Sequence, residues 1–436
     1  MTAQDTPAPG LLRRVIVASL IGTTIEWYDF FLYGTAAALV FNKLFFPKAD
    51  PLTGAMLAFS TYALGFVARP VGGLVFGHFG DRMGRKRLLM LSLVLMGVSS
   101  TLIGFLPTYA QVGALAPVLL TLLRLVQGFA VGGEWGGAVL MAGEFGDARR
   151  RGTWAGWPQV GVPAGNLLAA GVLAAMASFQ DSRDFLAWGW RIPFLLSAVL
   201  VAVGWWVRSR LDESPVFENA VVKAARREAA PALEAIRARP GGIAIGAGLK
   251  FGENVSYYLI TAVSITYATD VAHISRAAAL NAVLAGAAVE CVAMPLFSAL
   301  SDRVGRRWIY ALGAGGMLIW AFAFFRLLDT GDAAMATIAI VVGLVFHAAM
   351  YGPQAAFISE LFPTRFRYSG ASIAYQLTSV FAGSLAPIIA LWLLRRTGST
   401  LAISIYFAAA CAVSLLAALK AKETRGQSYA VIDAAV

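Results

Sequence analysis

The sequence predicts an all-α polytopic membrane protein whose twelve transmembrane helices form two six-helix halves. Three observations predict it. The 436 residues are 58% hydrophobic and only 14% charged, against about 45–50% and about 25% in soluble domains. The apolar residues fall in runs of roughly 20 or more, the length a helix needs to cross a bilayer, without the two-residue alternation of a strand. Two loop signatures also recur. GHFGDRMGRKR (77–87) returns as LSDRVGRRW (300–308), with Asp81 and Asp302 221 residues apart. GEFGDARRRG (143–152) returns as SELFPTRFRYSG (359–370), with Glu144 and Glu360 216 apart. Six-helix halves related by repetition are characteristic of secondary transporters.

In chain order, residues 1–13 are a polar tail and 14–210 the N-terminal half, with spans at 14–42, 52–78, 88–106, 113–143, 152–178 and 188–209. The first run is too long for a signal-peptide core and carries two acids, so it reads as a retained span. Residues 211–242 hold charges and three prolines and form a linker with short surface helices. Residues 243–420 are the C-terminal half, with spans at 243–269, 276–300, 308–328, 333–360, 370–394 and 399–420, and 421–436 are a tail. Lipid offers no partner to an open backbone, so these runs are helices.

The net charge of +11 does not point to nucleic acid, because the basic residues cluster between apolar runs. With the N-terminus in the cytoplasm, 24 of the 35 Lys and Arg fall in cytoplasmic segments and 7 on the other face. This bias places both termini, the linker and the signature loops inside. Arg69, Arg124, Arg191 and Lys250 lie within spans. Cys291 and Cys411 read as small buried hydrophobes, not as a disulfide or metal site. No nucleophile elbow, phosphate-binding glycine loop or metal cluster is present, so neither an enzyme nor a cofactor is expected.

Charge inside a span is the functional signal. A carboxylate near the bilayer centre costs about 2.5–3.5 kcal/mol on the translocon scale. TTIEWYDFFLYG (23–34) carries Glu26 and Asp29 three apart. They share one helix face, which must turn inward toward a partner. Glu253, Asn254 and Tyr257 line a face of span 7, and Gln159 and Asn166, two turns apart, a face of span 5. Tyr375 and Gln376 fall in the first third of span 11, and Lys250 is close enough to the start of span 7 to snorkel. Arg191 reads as snorkelling or guarding the outer mouth, and Arg69 and Glu134 as a possible pair. Glu290 and His347 stand as isolated polar residues in apolar runs. Gly84 and Gly305 permit tight loops. Asp81 and Asp302 are placed to accept from the free N–H groups where spans 3 and 9 begin.

GHFGDRMGRK and DRVGRR resemble the paired signature loops of the major facilitator superfamily. RLVQGFAVGG, with Arg124, Gly128 and Gly132, resembles its span-4 pattern. IEWYDFFLYG, GFVARPVGG, VGGEWGG, WGWRIPF, LDESPVFE and ELFPTRFRYSGAS are similar to its metabolite:proton symporter branch, which includes shikimate, α-ketoglutarate, citrate and proline/betaine carriers. The resemblance implies the major facilitator fold and proton-coupled uptake of a small molecule across a bacterial inner membrane by alternating access, with the lipid bilayer as surroundings and a monomer as the unit. It implies that the signature loops, Asp81, Arg82, Arg85 and Glu144 with Asp302, Arg303, Arg306 and Glu360, latch the halves together, Arg85 pairing with Glu144. It also implies that Arg124 lies near Asp29. An Asp–Arg pair in a dry cavity keeps the proton off the acid. A substrate anion that takes the Arg frees the Asp to accept a proton. Glu26 is the rival proton site, and a static ion pair between spans 1 and 4 is the alternative. The expected substrate wall is Arg124, Gln127, Trp135, Gln159, Asn166, Glu253, Asn254, Tyr257, Tyr258, Tyr375 and Gln376.

The buried cations favour a small organic acid such as shikimate or a di- or tricarboxylate. Trp135, Tyr257 and Tyr258 equally suit an aromatic cage for a zwitterionic osmolyte. Osmosensing members of the branch carry a long C-terminal coiled coil, which the 15 or so residues after span 12 do not resemble. A sensor without transport would need an output domain, and the longest soluble stretch is the linker. A monocarboxylate moved with one proton would carry no net charge.

Overall fold

The computed structural model describes residues 9–83, 85–132, 148–209, 231–364, 367–427 and 429–434. Helices dominate these residues, and no strand occurs among them. Span 1 runs Pro9–Ala36 and continues through a π-helical turn, Ala37–Phe41, to Asn42–Leu44. Spans 2 and 3 are Pro51–Met83 and Arg85–Phe105, and the described part of span 4 is Leu115–Val131. Span 5 is broken at Val160 into Arg151–Gln159 and Gly161–Phe179. Span 6 is a pair of segments, Ser182–Gly189 and Arg191–Trp206, bent by 42°. After a short helix, Pro231–Ala238, span 7 comprises Pro240–Tyr258, a π-turn Leu259–Val263 and Ser264–Asp270. Spans 8, 9 and 10 are Arg276–Val304, Arg306–Leu328 and Ala333–Ser359. Span 11 is Arg367–Thr378, a π-turn Ser379–Gly383 and Ser384–Thr397, and span 12 is Thr400–Lys420.

Among the described residues, spans 2, 5, 8, 9, 10, 11 and 12 are each long and apolar enough to cross a membrane, and span 6 joins them as the bent pair. Spans 3 and 4 appear as shorter apolar helices, Met90–Phe105 and Leu115–Val131. Spans 1 and 7 are the two that carry clustered charge, Glu26 with Asp29 and Lys250 with Glu253. The large apolar residues that remain exposed, such as Leu296 and Ile319, lie on outer faces. Glu26 and Asp29 of span 1, Arg124 of span 4, and Lys250 and Glu253 of span 7 are buried. This inversion of the soluble pattern is what a hydrocarbon solvent selects.

The duplication extends to irregular backbone. The π-turns of spans 1 and 7, starting at Ala37 and Leu259, are 222 residues apart. The break at Val160 in span 5 corresponds to the π-turn Ser379–Gly383 in span 11. Irregular turns of this kind leave the i→i−4 ladder and accompany functional sites.

Small residues set the closest crossings. A Cβ on Gly128 would stand 1.9 Å from the carbonyl oxygen of Gly65, so spans 2 and 4 touch backbone to backbone. A Cβ on Gly65 would stand 2.6 Å from Nε of Arg124, so the missing side chain makes the space that Arg124 occupies. Span 5 crosses span 1 at Gly165 beside Tyr28. The halves meet where Gly156 of span 5 and Gly352 of span 10 both press on Ser298 of span 8.

Gly305 has φ 123°, the left-handed side that favours glycine, and turns the chain from span 8 into span 9. The expected cap at this turn is corrected. Asp302 lies before Gly305, in the last turn of span 8, and its side chain points across the molecule. The free N–H groups of Arg306 and Arg307 go instead to Glu423 of the tail, both at 3.1 Å. Asp81 likewise falls in the last turn of Pro51–Met83, and Gly84 lies outside the described residues.

Candidate substrate and proton site

Span 4 brings Arg124 inward at 2% exposure. Its Nη1 donates to Oε1 of Gln127, one turn on, at 3.0 Å, and Gln127 Nε2 donates to Ser100 of span 3 at 2.6 Å. The guanidinium lies over three rings, Phe30 and Tyr33 of span 1 and Tyr62 of span 2, at 4.8, 4.6 and 4.5 Å from their centroids. Its Nε has no hydrogen-bond partner, and no described carboxylate pairs with it. Arg69 of span 2 is held similarly, over Phe30 at 4.6 Å and Phe66 at 4.4 Å, with Nε also unpartnered. Glu134, its expected partner, lies outside the described residues. Aromatic faces stabilise a cation by about 0.5–2 kcal/mol each without occupying its N–H fork. These two guanidiniums are therefore held in place with donors to spare.

Asp29 is 2% exposed, and its Oδ1 accepts from Ser197 of span 6 at 2.5 Å. Its Oδ2 has no hydrogen-bond partner among the described residues. The direct Asp29–Arg124 pair expected from the resemblance is not formed. Gln127 and the rings of spans 1 and 2 hold the guanidinium, while the carboxylate turns toward Ser197 of span 6. Glu26 is buried on the same helix.

In the C-terminal half, Lys250 Nζ is 2.5 Å from Glu253 Oε2. Glu253 Oε1 is 3.0 Å from His347 Nε2 on span 10, and His347 Nδ1 is 2.5 Å from Glu290 Oε1 on span 8. All four side chains are at most 3% exposed. Three expectations are corrected here. Lys250 does not snorkel: span 7 starts at Pro240, which puts the residue about 15 Å along the helix, and its ammonium lies over the Tyr375 ring at 4.1 Å. Glu290 and His347 are not isolated, because spans 7, 8 and 10 converge and supply each with an ionisable partner.

The two walls meet through polar and aromatic contacts. Asn166 donates to the Tyr257 hydroxyl at 3.2 Å, and the Tyr351 hydroxyl donates to Gln159 at 3.3 Å. Gln159 and Asn166 of span 5 thus face spans 7 and 10. Tyr258 packs against Phe30, Tyr62 and Phe66, and Tyr257 against Phe31 and His347. Asn254 turns to Ser379 of span 11 at 3.1 Å, away from the partners of Glu253. Tyr375 and Tyr351 hydroxyls are 3.4 Å apart. Gln376, one residue or about 100° further round the helix, is not brought into this network, and its Oε1 has no partner. Arg191 donates to the carbonyls of Gly104 and Leu106 at 2.8 and 2.7 Å, closing the C-terminus of span 3. It has no share in the site.

At the Arg-rich end, residues of the two halves interlock. Asp302 accepts from the backbone of Gly152 and Thr153 at 2.9 and 2.8 Å and from the Thr153 hydroxyl at 2.6 Å, so it caps the start of span 5 in the other half. Arg306 holds Asp302 at 2.6 Å. Arg151 and Glu360 form a buried pair across the halves at 2.8 Å, and Arg306 Nε approaches Glu360 at 3.7 Å. Arg306 and Glu360 are the second-copy counterparts of Arg85 and Glu144. All of Trp135 and Glu144, and the side chains of Asp81, Arg82 and Arg85, lie outside the described residues. Arg303 is exposed and takes part only through its carbonyl, which accepts from Arg425. At the opposite end the inter-half pairs Lys43–Asp270 (4.0 Å) and Arg395–Asp50 (3.5 Å) are partly exposed, a setting in which ion pairs contribute little.

Comparisons with known proteins agree with this architecture. The family model described as Major Facilitator Superfamily matches residues 19–387. The chain is 39% identical over 416 residues to the shikimate transporter of Escherichia coli (strain K12), covering 95% of each. It is 40% identical over 421 residues to the inner membrane metabolite transport protein YhjE of the same organism, again covering 95% of each. Its fold is similar to the partially occluded inward-open xylose transporter XylE from E. coli, with a TM-score of 0.75 and 20% identity over 96% of this chain and 100% of that one.

Proposed function

As this chain belongs to the major facilitator superfamily and is a multi-pass membrane transporter, we propose that it imports a small organic acid together with protons by alternating access across a bacterial inner membrane, both termini facing the cytoplasm. The observation that carries the reading is the pair of buried guanidiniums, Arg124 and Arg69, held by aromatic rings with no described carboxylate partner. An uncompensated buried cation is costly, and a substrate carboxylate would compensate it with charge-assisted, forked hydrogen bonds. Tyr258, whose ring meets both the Arg69 and Arg124 neighbourhoods, supplies the opposing wall.

Asp29 serves as the coupling acid in this reading. Its one unpartnered oxygen gives a proton a place to bind. Occupation of Arg124 by a substrate anion offsets a buried positive charge of the same half, one whose field favours the ionised acid. Substrate and proton then load together and the pair crosses with its charge reduced. A radiolabelled uptake panel of shikimate, α-ketoglutarate, citrate, proline and betaine in proteoliposomes, with the lumen alkaline, tests the function. Accumulation of a carboxylate supports it. Accumulation of proline or betaine alone replaces it with the osmolyte reading.

The Arg-rich interlock is assigned here to gating, with that end closed. Charge-assisted hydrogen bonds contribute about 1.5–3 kcal/mol each, and Asp302 makes several across the halves. Asp302→Asn is expected to slow transport several-fold and leave substrate affinity within a few-fold, as measured by uptake rate against equilibrium binding. A large loss of affinity in the folded variant contradicts the assignment.

A further inference from the structure

We propose that Lys250, Glu253, His347 and Glu290 form a second proton-carrying site in the C-terminal half, with His347 holding one transferable proton between Glu253 and Glu290. The inference rests on the symport reading above but on different residues. A neutral imidazole has one N–H. Here both ring nitrogens stand at hydrogen-bond distance from a carboxylate oxygen, Nδ1 at 2.5 Å from Glu290 and Nε2 at 3.0 Å from Glu253. Two carboxylates cannot both accept from a ring with one N–H. Either the ring is an imidazolium, or Glu290 or Glu253 carries the second hydrogen as a carboxylic acid. In each case the set holds one proton beyond the state with a charged Lys250, a neutral ring and two carboxylates.

The charge balance agrees. With that proton, Lys250 and the extra positive charge offset two carboxylates, or Lys250 alone offsets one. Without it, a net negative charge is left on side chains that are at most 3% exposed, an expensive arrangement in a membrane. The titratable and charged groups facing the set from its packed elements are Tyr257, Tyr258, Cys291, Tyr310, Tyr351 and Tyr375, together with Arg69 from the other half. Phenols and thiols are ordinarily neutral at pH 7, and span 5 contributes only the amides of Asn166 and Gln159. Arg69 alone adds charge, and it is positive. It makes a single net negative charge on the set less costly without replacing the hydrogen that the two-sided His347 contact requires.

The site is coupled to the seam. Tyr257 packs on His347 at 4.6 Å and accepts from Asn166 of the opposite half, and Tyr351, stacked on His347, donates to Gln159. Separation of the halves breaks these contacts and opens the His347 surroundings to water, the point at which the proton can leave. Two sites would make uptake of a monocarboxylate carry net positive charge inward, unlike the one-proton scheme.

The test needs no substrate. Protein labelled with 15N in its imidazole rings contains three histidines, and the His347 signal is assigned by its loss in His347→Gln. At pH 7 the expected spectrum shows both His347 nitrogens protonated, with the signature shifted to a single N–H tautomer in Glu290→Gln. The alternative placement of the same proton gives a protonated-carboxyl band in the infrared spectrum of the unsubstituted protein, lost in Glu290→Gln or Glu253→Gln. Either result supports the site. A singly protonated ring with no protonated-carboxyl band overturns it, and does so without touching Asp29 and Arg124, on which the symport reading stands.

Discussion

Arg124→Ala is expected to abolish carboxylate uptake in a protein that still folds. Removing one member of a buried, hydrogen-bonded charge pair costs about 2–5 kcal/mol, which at about 1.4 kcal/mol per tenfold is an affinity loss of about 30- to 4,000-fold. The fold tolerates the change because Arg124 supplies no ion pair to the scaffold among the described residues; its one hydrogen bond goes to Gln127. Arg124→Lys keeps the charge but not the planar fork and is expected to recover part of the binding. Size-exclusion behaviour establishes folding, and equilibrium binding reads the effect. Normal affinity in Arg124→Ala would remove this residue from the substrate site and leave Arg69 as the anion-binding group.

Asp29→Asn is expected to lose most of its accumulation against a gradient while substrate exchange across the membrane stays measurable. The amide keeps the shape of the carboxyl group and can still accept from Ser197, whose hydroxyl is 2.5 Å from Oδ1. It cannot take up or release a proton at physiological pH. A carrier stripped of this acid keeps only the coupling that the C-terminal cluster supplies, so the internal concentration should fall toward the external one. Full concentrative uptake by Asp29→Asn would transfer the coupling role to Glu26 or to the C-terminal cluster.

The helical spans, their division into halves and the repeat were legible because membrane solvation acts on the sequence directly. Long apolar runs and the matched loops around Asp81 and Asp302 carry that information with no knowledge of packing. Asp29 and Arg124 stood out for the same reason, as charges where charge is costly. What sequence spacing misses is which charges meet. Glu253 and Lys250 are three residues apart on one helix, but His347 and Glu290 lie on other spans, and only the convergence of spans 7, 8 and 10 joins them. A duplication signal was present: Lys250 follows Asp29 by 221 residues, and Glu290 follows Arg69 by the same 221. Charged positions in one half thus recur in the other with opposite sign. The cap made by Asp302 on span 5 was equally hidden, since its partners are backbone N–H groups 149 and 150 residues away.

Proton symport is tested most directly by the proton itself. The carboxylate selected by the uptake panel is added to proteoliposomes in lightly buffered medium, with no imposed gradient and with valinomycin and potassium clamping the potential. Symport predicts that the external medium turns alkaline as substrate enters, that the change is abolished by a protonophore, and that the protons taken up per substrate fall in Asp29→Asn. Entry of the same labelled substrate with no external pH change would contradict the account and leave a carrier for the anion alone.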